Sequence, residues 1–410
     1  MNGESETHHP SPVTRHVIQP GATIGVLGGG QLGAMFASAA RRLGYRVAVW
    51  DSDPDAPALR KADLPVSAPF TDAAALERFA GPISAATYEW ENVPFSVSAA
   101  LERHVPVRPA PRILRLLQNR LDQKNFLATH GIPVAPFCAV RSLNEFAVPR
   151  EIGYPALCKT AMSGYDGKGQ WRLAGLHDLQ ALQSQLGQQE TSQAGRSGDS
   201  GWIIEQFLSF EKELSVLVVR GTDGDSRTYA VTENVHEAGI LRTSRVPAEI
   251  GSRTADQAIG LARTVVERLE GVGVFCVEMF LMADGRLFVN EVAPRPHNSG
   301  HYTLDVCTVS QFEQQVRAVC GLPLGEARLL CPAVMVNLIG EDQTRMLSGD
   351  ALRGLLRTPG AKLRLYGKKT VRPGRKMGHV TFLAEKGETA WEAALTLRRL
   401  LTNPAQSEVR

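Results

Sequence analysis

Apolar positions along this chain change period from strand-like runs to helix-like spacing within its first fifty residues. Thr23–Leu27 is a short β-branched run. Leu32, Met35, Phe36, Ala39 and Leu43 then recur at i, i+3, i+4, i+7 and i+11, one face of a helix. Gly44 ends that helix, and Arg46–Trp50 reads as the next strand. Strand, glycine loop, helix and strand in this order predict a parallel sheet with right-handed crossovers. Short elements continue to about Leu117, punctuated by Pro82, Pro94, Pro106, Pro109 and Pro111. A second region, residues 119–321, holds the strand candidates Ala156–Lys159, Trp202–Glu205, Leu214–Val219, Val274–Met282 and Leu287–Glu291. Within it the polar stretch Gly187–Gly201 reads as a flexible surface loop. The third region, residues 322–410, predicts a small α+β cap: strand Ala333–Leu338, a basic turn, and a final helix around Trp391–Leu401. No internal repeat is visible.

Composition narrows the class. A chain of 410 residues suits two or three domains. With 43% hydrophobic and 21% charged residues it is a folded soluble protein, neither disordered nor fibrous. A net charge of +3 argues against a chain-wide nucleic-acid footprint. No apolar run approaches the roughly 18–20 residues that span a bilayer, so no membrane partner is expected. Val272–Met282, the most apolar stretch, is interrupted by Glu278. Cys138, Cys158, Cys276, Cys307, Cys320 and Cys331 form no CxxC pair and read as reduced core thiols of a cytoplasmic protein. Residues 1–20 are polar, lack a hydrophobic segment, and read as a disordered leader.

Four segments carry candidate chemistry. Gly28–Gly33 fits GxGxxG after a strand, and Asp51 sits about twenty residues on. A phosphate site, a dinucleotide site and a purely structural turn all fit that pattern. Lys159 ends a strand, and Gly164-Tyr165-Asp166-Gly167-Lys168-Gly169-Gln170 follows before an extended pattern resumes at Trp171. Such a loop folds over a triphosphate, with its amides and Lys168 toward anionic oxygens and Lys159 adding a point charge. No GxxxxGK[ST] pattern supports a P-loop.

Asp284-Gly285 is a favoured two-residue hairpin turn. That turn pairs Met282 with Leu287, Phe280 with Val289, and Glu278 with Glu291. Two facing carboxylates in an apolar hairpin repel, and an oxygen-ligated Mg²⁺ between them would resolve the conflict. Alternation turns Asn290 to the opposite face unless a bulge intervenes. Next, Ala293–His301 packs Arg295, His297, Asn298, Ser299 and His301 into a proline- and glycine-shaped loop, a density typical of an anion or substrate site. The cap adds Lys368, Lys369, Arg372, Arg375, Lys376 and His379, which suit a small phosphorylated ligand better than a nucleic-acid groove.

Together Lys159, the GYDGKGQ loop, Glu205-Gln206, Glu213, Glu278 and Asn290-Glu291 resemble the ATP-grasp superfamily. The strings GGGQLG (Gly28–Gly33), YEWENVP (Tyr88–Pro94), NRLDQK (Asn119–Lys124), HNSGH (His297–His301) and VRPGRKMGH (Val371–His379) are similar to those of N5-carboxyaminoimidazole ribonucleotide synthetases. The resemblance covers about Gly21 to Leu400. It implies a Rossmann-like N-terminal domain (residues 21–118), an ATP-grasp domain with a mobile lid (119–321), a C-terminal cap (322–410), and a homodimer.

It also implies the joining of ATP, bicarbonate and 5-aminoimidazole ribonucleotide, with carboxyphosphate as intermediate. By motif, Arg120, Lys159, Gly164–Gln170, Glu205, Gln206, Phe207, Leu208, Glu213, His236, Asn290 and Glu291 would contact ATP. Glu278 and Glu291 would hold Mg²⁺, or Mn²⁺ in its place. Gly30, Gln31, Leu32, Glu91, Arg295, His297, Asn298, Ser299, Lys368, Arg375 and Lys376 would hold the ribonucleotide, which makes the glycine loop a phosphate site.

Arg295 and Lys368 would grip the bicarbonate-derived anion, Lys168 would act on the phosphates, and Asp166 or His297 would accept the amine proton. Two other readings stand beside this one. A formate-dependent glycinamide ribonucleotide transformylase would share the ATP site. A nucleotide-sensing module without catalysis needs only the glycine loop and Asp51, and leaves Glu278, Glu291 and the Arg295–His301 loop without a role.

Overall fold

The computed structural model describes residues 17–162, 169–192 and 201–402, and three sheets organise them. The first is parallel, built from β1 (Thr23–Leu27), β2 (Arg46–Asp51), β3 (Leu64–Ser67) and β4 (Ala85–Tyr88) in the order β3-β2-β1-β4. Both faces of β1 are covered, which is why it carries no polar alternation. The crossover helix Gln31–Arg42 buries Leu32, Phe36 and Ala39, the stripe its periodicity predicts.

The second sheet is antiparallel: β5 (Phe137–Val140), β6 (Ala156–Thr160), β7 (Gln170–Leu173) and β8 (Trp202–Gln206), ordered β5-β8-β6-β7. The third holds nine strands. They are β9 (Lys212–Arg220), β10 (Ser226–Thr228), β11 (Thr232–Glu237), β12 (Ile240–Val246), β13 (Gly273–Leu281), β14 (Leu287–Ala293), β15 (Ala333–Ile339), β16 (Ala361–Leu365) and β17 (Lys376–Leu383). Their order is β14-β13-β9-β11-β12-β15-β17-β16, with β10 paired to β9. The C-terminal strands therefore continue the central sheet through β12–β15, where Val246 faces Ala333. This covers an otherwise open edge on β12. Helix Gln311–Cys320 packs Phe312, Val316, Val319 and Cys320 into the core of the parallel sheet, joining the first and third sheets.

Three sequence expectations change. Ile18, expected in the disordered leader, donates its N–H to the Cys320 carbonyl at 2.9 Å, and its own carbonyl accepts from the Tyr45 hydroxyl at 2.6 Å. Its apolar side chain packs on the parallel-sheet core, which a polar tail has no means to do. Residues 1–16 lie outside the described residues. The expected loop Gly187–Gly201 begins as helix, because Leu176–Ser192 is one helix. Gln and Glu are good helix formers, and no proline interrupts them; residues 193–200 lie outside the described residues.

The third change is the hairpin turn. Leu281 faces Leu287, Phe280 faces Phe288 and Met279 faces Val289. The turn is therefore a three-residue loop, Ala283 to Gly285, with Gly285 at φ +85°. Such loops place glycine in the left-handed region. A register shift between Glu278 and Met279 leaves Asn290 as the extra residue of β14 and restores the pairing of Glu278 with Glu291.

Candidate active site

The second and third sheets bring opposite charges together. On β6 and β8, Lys159 and Glu205 are buried neighbours, with Lys159 Nζ donating to Glu205 Oε2 at 2.9 Å. Lys124, from helix Arg120–Thr129, approaches the same oxygen at 3.7 Å and donates to the Val289 carbonyl at 3.4 Å. Two buried ammonium groups thus share one carboxylate. Burial pushes the Lys124 pKa down to about 8 against the pull of Glu205. Burial opposes the charge of Glu205, but Lys159 and Lys124 hold its pKa below the usual carboxylate value. Glu205 Oε1 is buried without a partner among the described residues. Arg120 sits at the start of its helix below an Asn119 cap, with its backbone N–H on the Ala161 carbonyl at 2.8 Å.

Gly164, Tyr165, Asp166, Gly167 and Lys168 lie outside the described residues, but both ends of their loop are fixed. Lys159 faces Gln170, and the Thr160 N–H donates to the Gly169 carbonyl at 2.9 Å. Gly169 has φ +69°, and a Cβ there would lie 2.7 Å from Thr160 Oγ1. Gln206, Phe207 and Leu208 follow at the end of β8, where the Arg172 guanidinium lies 4.6 Å from the Phe207 ring centroid.

Across from these, Glu213, His236, Glu278 and Asn290 line one cleft together with Leu214, Asn234, Met279 and Phe280. His236 Nδ1 is ion-paired with Glu213, which raises its pKa against the effect of burial. The bulge brings Asn290 to this cleft, correcting its expected placement on the far face. Glu278 accepts from His297 Nε2 at 3.0 Å. Burial opposes the Glu278 charge, yet His297 lowers its pKa. Glu291 is open to solvent at its surface, but crowding by protein and then the Glu278 charge raise its pKa, while Arg120 and Lys159 pull it down. The acid pair and the cations of the second sheet therefore share one field. Among the described residues, donor atoms of Cys276, Glu278 and His297 also lie within 4.8 Å of one another. That set is softer than Mg²⁺ prefers, whereas the carboxylates of Glu278 and Glu291 with the Asn290 amide offer only hard oxygens.

Two expected ligand contacts are already taken by protein groups. Arg295 grips Glu91 side-on: Nη2 donates to Oε1 at 2.8 Å and Nε to Oε2, while Nη1 donates to the Pro296 carbonyl at 3.0 Å. Arg295 brings the Glu91 pKa down to about 2 despite burial. Glu91 therefore meets the site as the partner of Arg295, since the end of the parallel sheet abuts the loop after β14.

The glycine loop is likewise filled. Gly29 N–H donates to Asp51 Oδ2 at 2.5 Å, and Gly30 and Gly33 N–H donate to the two oxygens of Glu89 at 2.5 and 2.8 Å. The ends of β2 and β4 thus deliver two carboxylates to the same amides on which a substrate phosphate was expected. A Cβ on Gly30 would meet Glu89 Oε1 at 2.4 Å. Burial raises the Glu89 pKa against its two amide bonds. Leu32 points into the core, and Gln31 opens the helix.

The HNSGH loop lies between this region and the C-terminal strands. Ser299 is buried, with Oγ 2.9 Å from His297 Nδ1. Its hydroxyl is engaged within the protein, by His297 and Ser215. Asn298 is buried, and neither polar atom of its side-chain amide has a partner among the described residues. His301 and His379 are buried with rings 5.0 Å apart, and Tyr366 Oη lies 2.9 Å from His379 Nδ1. Burial lowers the pKa of both histidines, that of His379 to about 3. Lys368 donates to the Lys376 carbonyl at 2.9 Å, and Arg375 donates to that of Thr370 at 2.8 Å.

Sequence reasoning missed Lys124, Glu89, Ser215 and Asn234. Lys124 stood in a quoted motif, and a lysine on a largely apolar helix face was its signal. Glu89 stood in the quoted string YEWENVP, two residues before Glu91.

A parallel sheet, a cation-lined antiparallel sheet and a facing acid pair define an ATP-grasp enzyme. The ATP-grasp domain family matches residues 125–312, the ribonucleotide synthetase preATP-grasp domain 21–118, and the phosphoribosylaminoimidazole carboxylase C-terminal domain 333–393. The chain is 40% identical over 397 residues to the N5-carboxyaminoimidazole ribonucleotide synthase of Bacillus subtilis, covering 97% of this chain and all of the relative. Its fold is similar to a synthetase of the same name solved as an ADP complex, with TM-score 0.86 and 40% identity over 93% of this chain and 98% of that one. It is also similar to the Aspergillus clavatus enzyme solved with ADP and 5-aminoimidazole ribonucleotide, with TM-score 0.83 and 31% identity over the same shares. The chain belongs to the N5-carboxyaminoimidazole ribonucleotide synthase family.

Proposed function

We propose that this protein is an ATP-dependent ligase that carboxylates 5-aminoimidazole ribonucleotide with bicarbonate in purine biosynthesis. The observation that supports this most is the meeting in one site of three parts: the Lys124–Lys159–Glu205 cluster, the Glu278–Glu291 pair, and the Arg295–His301 loop. Two buried ammonium groups on one carboxylate leave positive charge that a nucleotide phosphate balances. The unpartnered Glu205 Oε1 fits the amino group of a base, and the adjoining Gln206–Leu208 segment fits the rest of its edge.

Bicarbonate oxygen attacks the γ-phosphorus of ATP, forming carboxyphosphate and ADP. The amine nitrogen then bonds to the carboxyl carbon as the carbon–oxygen bond to phosphate breaks, giving the N5-carbamate and phosphate. Arg120, Lys159, Lys168, Glu213 and His236 hold the nucleotide, so the protein's contribution is placement and charge neutralisation. Glu278 and Glu291, with Asn290, would hold the Mg²⁺, which supplies charge neutralisation at the phosphates. Gln31, Asn298, Lys368, Arg375 and Lys376 face the ribonucleotide, while Gly30 and Leu32 shape the loop behind them. Because Glu91 occupies the side-on edge of Arg295, Arg295 contributes charge from within that pair, and Lys368 is the direct cation for the bicarbonate-derived anion. The loop through Tyr165 and Asp166 shields the labile intermediate from water. Asp166 takes the amine proton. Burial opposes the charge of His297, the other candidate, but its acidic neighbours raise its pKa to about 10 and both its ring nitrogens are engaged, so it holds Glu278 instead of accepting a proton. A homodimer is the expected assembly.

The test is ADP release from Mg-ATP with the ribonucleotide, run with bicarbonate and with bicarbonate stripped, and then with formate and glycinamide ribonucleotide in their place. Turnover that needs ribonucleotide and bicarbonate supports the reading. Turnover with formate and glycinamide ribonucleotide would replace it with the transformylase reading.

A further inference from the structure

We infer that Ser215, Asn234 and Ser244 are positioning residues for His297, acting through a buried line of hydrogen bonds beneath the site. Ser244 Oγ donates to Asn234 Oδ1 at 2.9 Å, and Asn234 Nδ2 donates to Ser215 Oγ at 2.9 Å. Ser215 Oγ donates to Ser299 Oγ at 2.9 Å, which lies 2.9 Å from His297 Nδ1. The far ring nitrogen, Nε2, is 3.0 Å from Glu278 Oε1. The imidazole is thereby gripped at both nitrogens.

The line follows the sheet. Asn234 on β11 is directly opposite Ser244 on β12, and Ser215 on β9 is directly opposite Glu278 on β13. Partners directly opposite project from the same face of a sheet. Ser215, Ser244 and Ser299 are at most 1% exposed and Asn234 is 6% exposed. Both residues flanking Ser215 are apolar, with Leu214 and Val216 in the core. A buried polar side chain that loses its partner is costly, so three of them in adjoining strands form a unit. An asparagine amide in the middle does not pass protons along, so the line orients the ring and does not conduct. Cys276 Sγ, 3.9 Å from Ser299 Oγ, is a weak further partner for that hydroxyl.

The catalytic consequence rests on the reading above that His297 belongs to the reaction site; the positioning itself does not. The experiment uses the full chain labelled with ¹⁵N-histidine, the His297 ring signals being assigned by their loss in His297→Asn. Ser215→Ala is the first variant, and the near-isosteric Asn234→Leu the second, with thermal melting to confirm folding. The expected result is a shifted or broadened His297 Nδ1 signal in each folded variant, with His104 and His177 unmoved. The kcat falls about tenfold, the size of one lost orienting hydrogen bond, while KM for Mg-ATP stays within about twofold. Unchanged His297 signals in a folded variant overturn the inference. Shifted signals in a protein that never carboxylates the ribonucleotide uphold the positioning and refute the proposed function instead.

Discussion

Breaking the Glu91–Arg295 pair tests how the parallel sheet is fastened to the loop that carries the site. Arg295→Met leaves Glu91 largely buried without its cation. Glu91 titrates at about 2 in the fold against an ordinary 4.5, and that difference corresponds to about 3 kcal/mol. The figure agrees with the roughly 3–5 kcal/mol lost when one partner of a buried pair is removed. The sign follows from the lowered pKa. The contribution is complete above pH 4.5 and is lost as pH falls toward 2, because the folded carboxylate resists the proton that the unfolded one accepts. A double-mutant cycle of Glu91→Gln and Arg295→Met, read by urea unfolding and the fluorescence of neighbouring Trp90, should give a coupling of about 3 kcal/mol at pH 7. The coupling should shrink steadily below pH 4.5. A coupling under about 0.5 kcal/mol at pH 7 is the range of an exposed pair and would refute the claim that this contact holds the site together.

Other consequences are as direct. Glu278→Gln should lower kcat by at least about 100-fold in a folded protein, since it removes half of the acid pair; a Mg²⁺ titration of ADP release checks it. Gly30→Ala should destabilise by about 1–3 kcal/mol, because its Cβ would meet Glu89 Oε1 at 2.4 Å. Glu89→Ala in the same chain should recover part of the loss in a thermal melt. His379 titrates at about 3 in the fold, below an unfolded histidine. Its contribution is therefore full above about pH 6.5 and declines as pH falls below that, so His379→Phe should flatten the acid limb of a stability–pH curve. Lys124→Met removes one of two cations on Glu205 and should raise KM for ATP more than it lowers kcat, which steady-state kinetics will show.

The acid pair was legible in the chain because strand alternation and one turn signal are local. Its route was not. A three-residue loop set the outer pairs one residue away from the expected register, and the bulge at Asn290 cancelled that offset before Glu278 was reached. No count of alternating residues contains a bulge. The glycine loop was equally visible as a nest of backbone N–H groups. Its occupants were not, because Glu89 and Asp51 arrive from other strands of the parallel sheet, and that geometry exists only once the strands are ordered. Arg295 likewise read as a free guanidinium until Glu91, two hundred residues earlier, was found on its fork. Ser215 and Asn234 carried no motif at all. A serine in an apolar strand gains meaning only from the partners facing it across three strands.

The central claim is tested most directly by following oxygen. With ¹⁸O-labelled bicarbonate, ATP and the ribonucleotide, the account predicts one ¹⁸O atom in each phosphate released, together with an acid-labile N5-carbamate. Phosphate free of label, with ribonucleotide consumed at the same rate, would contradict attack of bicarbonate on the γ-phosphorus and with it the proposed use of the site.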